Sequence, residues 1–170
     1  GAAFVLPAFI DNHDMNRFLW VAGGDKARLR PALGLLFALG GPPVLYYGTE
    51  VGLGQPRAKG SYREESRHPM LWDDAQDHGL LAYVQAWAAA RSNHPALGQG
   101  TLRTLHLNEQ GSAALIELQH GDDTLLLAAN IGAEPASLPL PAGNYTDVTG
   151  AAISSTGSVE IPPLTVYCLA

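Results

Sequence analysis

Two aspartates, two asparagines, a histidine and an arginine fall within seven residues, as Asp11-Asn12-His13-Asp14-Met15-Asn16-Arg17. A fixed carboxylate in such a cluster can stabilise positive charge that develops in a transition state. A histidine with a ring N–H can hold a hydroxyl, and Arg17 can pair with a carboxylate and orient it. The same residue types serve turns and helix caps, and on the polar residues alone turn chemistry is the preferred reading. A metal site from Asp11, His13, Asp14 and His68 is a third reading, but no His-x-x-x-His or Cys pair supports it.

The elements that would hold this cluster follow from the flanking residues. The apolar run Phe4-Val5-Leu6-Pro7-Ala8-Phe9-Ile10 predicts a strand buried on both faces, with a buried helix segment as the rival. Pro7 removes one ladder donor, so pairing is expected to begin after it. The polar cluster starts where the run stops, at the carboxyl end of the strand, where parallel sheets carry their chemistry. Gly23-Gly24 then turns the chain, and Asp25 is the candidate N-cap of a helix with an apolar stripe through Leu29, Leu33, Leu36 and Phe37. Gly40-Gly41 ends it. Pro31 is disfavoured inside a helix, so the main helix is expected to start near Arg30 after an irregular turn. Pro42-Pro43-Val44-Leu45-Tyr46-Tyr47-Gly48 reads as a second buried strand, giving a right-handed parallel βαβ unit. Gly48-Thr49-Glu50 then lies on the same rim as Asp14, with Glu50 orienting the loop. Residues 52 to 79 form a long polar segment of the kind that is usually functional or flexible. Asp77 caps a helix bearing Leu80, Val84 and Trp87, stopped by Pro95.

From Thr101 the texture changes to short alternating stretches with turn signals. Ala114 to Leu118, Thr124 to Asn130, Ser137 to Leu140, Tyr145 to Val148, Ser158 to Ile161 and Thr165 to Leu169 are the candidate strands of a small antiparallel sandwich.

Asp11-Asn12-His13-Asp14, after a buried strand and followed by Arg17, resembles the fourth conserved region of the α-amylase family of glycoside hydrolases, at the end of the seventh strand of a (β/α)8 barrel. Gly40-Gly41-Pro42-Pro43-Val44-Leu45-Tyr46-Tyr47-Gly48-Thr49-Glu50 resembles that family's eighth strand. Arg67-His68-Pro69-Met70-Leu71-Trp72-Asp73 is similar to the signature that follows it. The resemblance covers essentially the whole chain and implies an α/β plus all-β fold. Residues 1–97 would be the C-terminal portion of a (β/α)8 TIM barrel, strands 7–8 and their helices, and residues 98–170 a small antiparallel β-sandwich domain. It further implies a retaining glycosidase acting on α-glucosidic bonds of starch-like glucans or maltooligosaccharides. Asp14 takes the place of the transition-state-stabilising aspartate and His13 that of the histidine that binds the sugar beside the scissile bond. Asn12 and Arg17 are further substrate-binding candidates, and Asp11 is a structural loop or cap residue. Tyr46, Tyr47 and Trp72 are aromatic enough to stack on sugars, but core packing is the preferred reading.

A retaining glycosidase needs a nucleophile and an acid/base, two carboxylates about 5 Å apart. In this family they come from the fourth and fifth strands, and nothing in the chain matches those motifs. The chain alone is therefore expected to be inactive. It is also expected to cover its open barrel edges by self-association, while the sandwich folds autonomously. The rival reading is a non-catalytic carbohydrate- or partner-binding remnant, supported if Tyr145 and Tyr167, the only aromatics after Trp87, form an exposed pair.

Composition excludes other classes. The 170 residues carry a net charge of -6 with no run of like charges, so no nucleic-acid partner is expected. No apolar run approaches the ~20 residues of a membrane span, and no membrane partner is expected. No cofactor is implied; calcium stays open for the full-length enzyme, with no site evident in this chain. The single cysteine, Cys168, reads as a core residue. The chain opens on Gly1 with no signal peptide, so its N-terminus is expected upstream and the compartment is left open.

Overall fold

Asp25 and Asp77 start the two long helices, and both do so with their side chains. Asp25 accepts from the Ala27 N–H at 2.8 Å, and Asp77 accepts from the Leu80 N–H at 2.9 Å, satisfying donors that a helix N-terminus leaves open. The computed structural model describes residues 6–58, 60 and 64–170. Its helices are α1 (Phe18–Val21), α2 (Lys26–Ala38), α3 (His78–Asn93) and α4 (Pro95–Gln99). Eight strands follow: β1 (Thr101–Leu107), β2 (Ala113–His120), β3 (Asp123–Asn130), β4 (Ala136–Leu138), β5 (Gly143–Thr146), β6 (Ala152–Ser155), β7 (Val159–Ile161) and β8 (Thr165–Leu169).

The expected start near Arg30 is corrected. The Asp25 cap sets the first turn at Lys26, and Pro31 lies inside α2. There it forgoes the helical bond to the Ala27 carbonyl, and its ring is buried. Helices α2 and α3 meet at Gly34, where a Cβ would stand 2.5 Å from the Tyr83 hydroxyl and 3.2 Å from the Trp87 ring. A larger residue there would have to push the Tyr83 side chain aside. Arg91 of α3 ties the end of α2 to α4, its guanidinium donating to the carbonyls of Phe37, Gly41 and Leu97.

The two strands expected before residue 50 shrink to one parallel bridge, Ala8 with Pro43. The Ala8 N–H donates to the Pro42 carbonyl at 3.0 Å and the Val44 N–H to the Ala8 carbonyl at 2.8 Å. The parallel sense agrees with the expectation; burial on both faces does not. Leu6 is 67% exposed, and Phe9 and Val44 are also exposed, because among the described residues neither segment pairs with a further strand. Phe4 and Val5 lie outside the described residues.

The β-region holds a four-stranded antiparallel sheet, β1-β2-β3-β8, and two antiparallel pairs, β4-β7 and, between them in sequence, β5-β6. Strand β3 explains the layering. Leu125, Leu127 and Ala129 face one core, with Leu29, Leu33, Trp87 and Leu97 from the helices. Ala128 and the half-buried Leu126 face a second core, with Leu138, Leu140 and Ile161. A strand covered on both faces reads as a continuous apolar run, as Leu125 to Ala129 does. The sheet is thus a middle layer, and one core crosses the expected boundary at residues 97 and 98. Removing the helices would bare that whole face of the sheet. Cys168 is buried in the shared core, where burial pushes its thiol up to about 12.

Asp77 carries the first prediction. Besides capping α3 it pairs with Lys26 of α2 at 3.0 Å, and its own N–H donates to the Val51 carbonyl. The Leu80 N–H and Lys26 hold its carboxyl below the ordinary value. Stabilisation from a lowered carboxyl is fully present above the unfolded value near ~3.9 and fades as pH falls through the folded one. Asp77→Ala should therefore cost about 1 kcal/mol at neutral pH, a drop of roughly 2–4 °C in Tm. Thermal melts should show the gap between variant and parent closing below about pH 4. A gap that persists at pH 2 would refute the assignment.

Candidate active site

Sequence neighbours in the 11–17 cluster separate sharply in space. Asp11 is buried, and its carboxylate accepts from the Thr49 hydroxyl at 2.9 and 3.1 Å and from the Phe18 N–H at 3.0 Å. It therefore caps α1 and fastens the loop, the structural role expected of it. Arg17 is 0% exposed. Its Nε donates to the Ser66 carbonyl at 3.0 Å, and Nη1 donates to the Tyr47 carbonyl at 2.8 Å and the Thr49 hydroxyl at 3.4 Å. Nη2 has no oxygen partner among the described residues. The guanidinium instead stacks over Tyr46 and Tyr47, 4.4 and 4.8 Å from the ring centroids, a favourable setting for a desolvated cation. Arg17 is thus turned into the interior, and among the described residues it makes no ion pair with a carboxylate. Its side-chain hydrogen-bond partners are two carbonyls and a hydroxyl, brought in from two later segments, 47–49 and Ser66.

Above this buried brace the rest of the motif turns outward. The Asn12 side-chain oxygen accepts from the Asp14 N–H at 2.7 Å, a local turn bond that fixes the Asp14 backbone. The Asp14 side chain is 74% exposed, with Oδ2 3.2 Å from His13 Nε2 and Oδ1 3.8 Å from Arg67 Nη2. The His13 ring is exposed beside Tyr46, their centroids 6.4 Å apart. Burial, and then the hydrogen bond with Tyr47, hold the Tyr46 phenol above its ordinary value. Asp14 and His13 thus form an open carboxylate–imidazole pair on a rigid base.

The loops that close on the motif were not legible in advance. Ser66 is buried; its hydroxyl donates to the His13 carbonyl at 3.0 Å, while its own carbonyl takes Arg17. Gln55 accepts from the Arg17 N–H and donates to Asn16 Oδ1, each at 2.7 Å. The Tyr47 hydroxyl donates to the His68 carbonyl at 2.7 Å. These described parts of the 52–79 segment are therefore fastened to the site. Polar residues in a non-periodic loop give no signal of which ones turn inward. Gly48, at φ 85°, makes the bend that delivers Thr49 to Asp11.

Two further expectations change. Tyr47 and Trp72 are exposed, Trp72 at 70%, and Tyr46 is only half-buried, so core packing does not describe them. Tyr145 and Tyr167 are half-buried against the second core, not an exposed pair, which removes the feature the binding-remnant reading asked for. Among the described residues there is no group of three or more His, Cys, Asp or Glu placed to hold a metal ion. No described helix is long and apolar enough to cross a membrane.

A family model for the α-amylase catalytic domain matches residues 2–98. The chain is similar to α-amylase 2 of Dictyoglomus thermophilum, 32% identical over 99% of this chain and 30% of that protein. It is also similar to a cyclomaltodextrinase of a Bacillus species, 35% identical over 76% of this chain and 22% of that protein. Among solved structures it is similar to an α-amylase from Anoxybacillus, with a TM-score of 0.77 and 26% identity over 98% of this chain and 38% of that one. The chain thus spans less than a third of the length of these two curated relatives.

Proposed function

The chain belongs to the α-amylase family, and from that premise we propose that it forms the C-terminal part of a retaining glycosidase acting on α-glucosidic bonds of starch-like glucans or maltooligosaccharides. Residues 1–97 supply the last two strands of the catalytic barrel and residues 98–170 the β-domain behind it. Asp14 stabilises the transition state. The observation that carries this reading is the division within the motif: Asp11 and Arg17 buried as a brace, Asp14 and His13 presented on it to solvent.

The chemistry follows from that arrangement. Glycoside cleavage passes through an oxocarbenium-like state with positive charge on the ring. A carboxylate whose backbone is pinned by Asn12 needs little reorganisation to meet that charge, and such preorganised electrostatics favour the transition state over the ground state. His13, 3.2 Å from Asp14, lies where it can hold a sugar hydroxyl beside the same bond. Asn12 positions Asp14 through its side-chain oxygen, and Arg17 acts only through the brace.

The nucleophile and the acid/base come from a preceding part of the polypeptide. That part also covers the apolar strip of Leu6, Phe9 and Val44, exposed here. Alone, the 170 residues cover the strip by self-association. Sedimentation and a maltotriose assay test both halves. We expect concentration-dependent association and no turnover from the chain alone, with hydrolysis appearing once the upstream frame is restored. Turnover by the chain alone that disappears in Asp14→Asn would overturn the division of labour.

A further inference from the structure

The peptide group that joins His13 to Asp14 is held at both of its polar ends. Its N–H, that of Asp14, donates to Asn12 Oδ1 at 2.7 Å. Its carbonyl, that of His13, accepts from the Ser66 hydroxyl at 3.0 Å. We propose that Ser66 is a positioning residue for glycoside cleavage: it holds the plane of this peptide and so sets where the Asp14 carboxylate and the His13 ring meet the substrate. The proposal rests on the glycosidase reading above and deepens it by naming a residue that acts through both.

The planarity of a peptide makes such a hold effective. Because the group is rigid, fixing its oxygen and its N–H fixes its rotation between the two Cα atoms. That rotation sets ψ of His13 and φ of Asp14, and hence the directions in which both side chains leave the backbone. The side chains themselves are 54% and 74% exposed, so packing does little to orient them. Their preorganisation is supplied by the backbone beneath.

Ser66 is anchored in its turn. It lies in the short helical turn Glu65–Arg67 and is 0% exposed. The Arg67 N–H donates to the Glu64 carbonyl at 2.8 Å and closes that turn. The Ser66 carbonyl accepts from Arg17 Nε at 3.0 Å. Its hydroxyl is therefore a short arm on a fixed backbone, turned on a single torsion, and little freedom is lost in aiming it. One residue thus couples the buried half of the motif, at Arg17, to the presented half, at His13 and Asp14. Ser66→Ala separates the two functions: the hydroxyl goes, while the backbone carbonyl that receives Arg17 stays.

The test is steady-state kinetics on maltoheptaose with the enzyme that contains this chain and its upstream frame, together with a thermal melt of each variant. We expect Ser66→Ala to lower kcat by roughly tenfold or more, the consequence of a small misplacement of the reacting groups, with KM within about threefold of the parent. Ser66→Thr, which keeps the hydroxyl, should retain most of kcat. Ser66→Ala combined with Asn12→Ala should depart from the product of the two separate losses, because both bonds hold one plane. An unchanged kcat in Ser66→Ala, with Asp14→Asn still impaired, would overturn the positioning role and leave the glycosidase reading standing. No loss in either variant would sink both. Equal losses in Ser66→Ala and Ser66→Thr, each matched by a fall in Tm, would make Ser66 a packing residue. A raised KM with kcat intact, or strictly multiplicative losses with Asn12→Ala, would equally defeat the shared hold on the peptide.

Discussion

Asp14→Asn should lower kcat of the enzyme that contains this chain by roughly a hundred- to a thousand-fold, with KM changed far less. The substitution keeps the shape of the side chain and removes its charge. Its surroundings isolate the effect. The Asn12 bond to the residue-14 N–H does not depend on the side chain, and the carboxylate is largely exposed, so folding is indifferent to the change. Stability should stay within about 0.5 kcal/mol of the parent. A split of this kind is expected when an interaction is made in the transition state and not in the ground state. Should kcat fall less than tenfold, Asp14 would be a surface partner of His13 and Arg67 and no more. Should KM rise with kcat unchanged, its role would be ground-state binding.

Arg17→Leu should have the opposite signature, a loss of fold from a fully buried position. Leucine fills much of the space but donates nothing. The carbonyls of Tyr47 and Ser66 and the Thr49 hydroxyl would lose their charged partner, and the two tyrosine rings would lose the cation between them. Leaving the Ser66 and Tyr47 carbonyls without their charged donor costs about 1–3 kcal/mol each, a fall of roughly 10 °C in Tm for a chain of this size. Arg17→Lys should be intermediate, because an ammonium keeps the charge and cannot span both carbonyls as a planar fork does. Arg67→Leu, on the same rim and half exposed, should change stability by less than about 0.5 kcal/mol. Denaturant melts rank the three. An Arg17→Leu variant within about 1 kcal/mol of the parent would mean that the brace does not hold the loops.

Much of the fold was legible because its signals are local. A capping bond spans two or three residues, so Asp25 and Asp77 marked their helices, and Gly40-Gly41 and Pro95 marked the ends. Pro31 misled for the same reason: its local cost is real, yet burying α2 against α3 and the sheet outweighs it. In the β-region alternation placed six of the eight strands within about two residues, but neither β1, almost wholly exposed, nor the four-residue β6 was read as a strand.

The candidate site was legible in composition and not in arrangement. Asp11, Asn12, His13, Asp14 and Arg17 are consecutive or nearly so, and no local rule divides them into buried and exposed. Their partners do. Thr49 is 38 residues from Asp11, and Ser66 is 49 residues from Arg17; both arrive on loops without periodicity.

The order of the motifs, the capping residues of the two long helices and most of the strands were determined by the sequence itself, since each depends on residues within a few positions of one another. Three matters were decided only by tertiary structure. One is that Arg17 faces inward, because desolvating a guanidinium requires acceptors, here brought in from two later segments. Another is that the β-sheet is a shared middle layer, because whether a strand's second face is covered depends on what folds against it. The last is that the Leu6 and Val44 segments stay open to solvent, because an apolar run becomes a buried strand only when neighbours flank it.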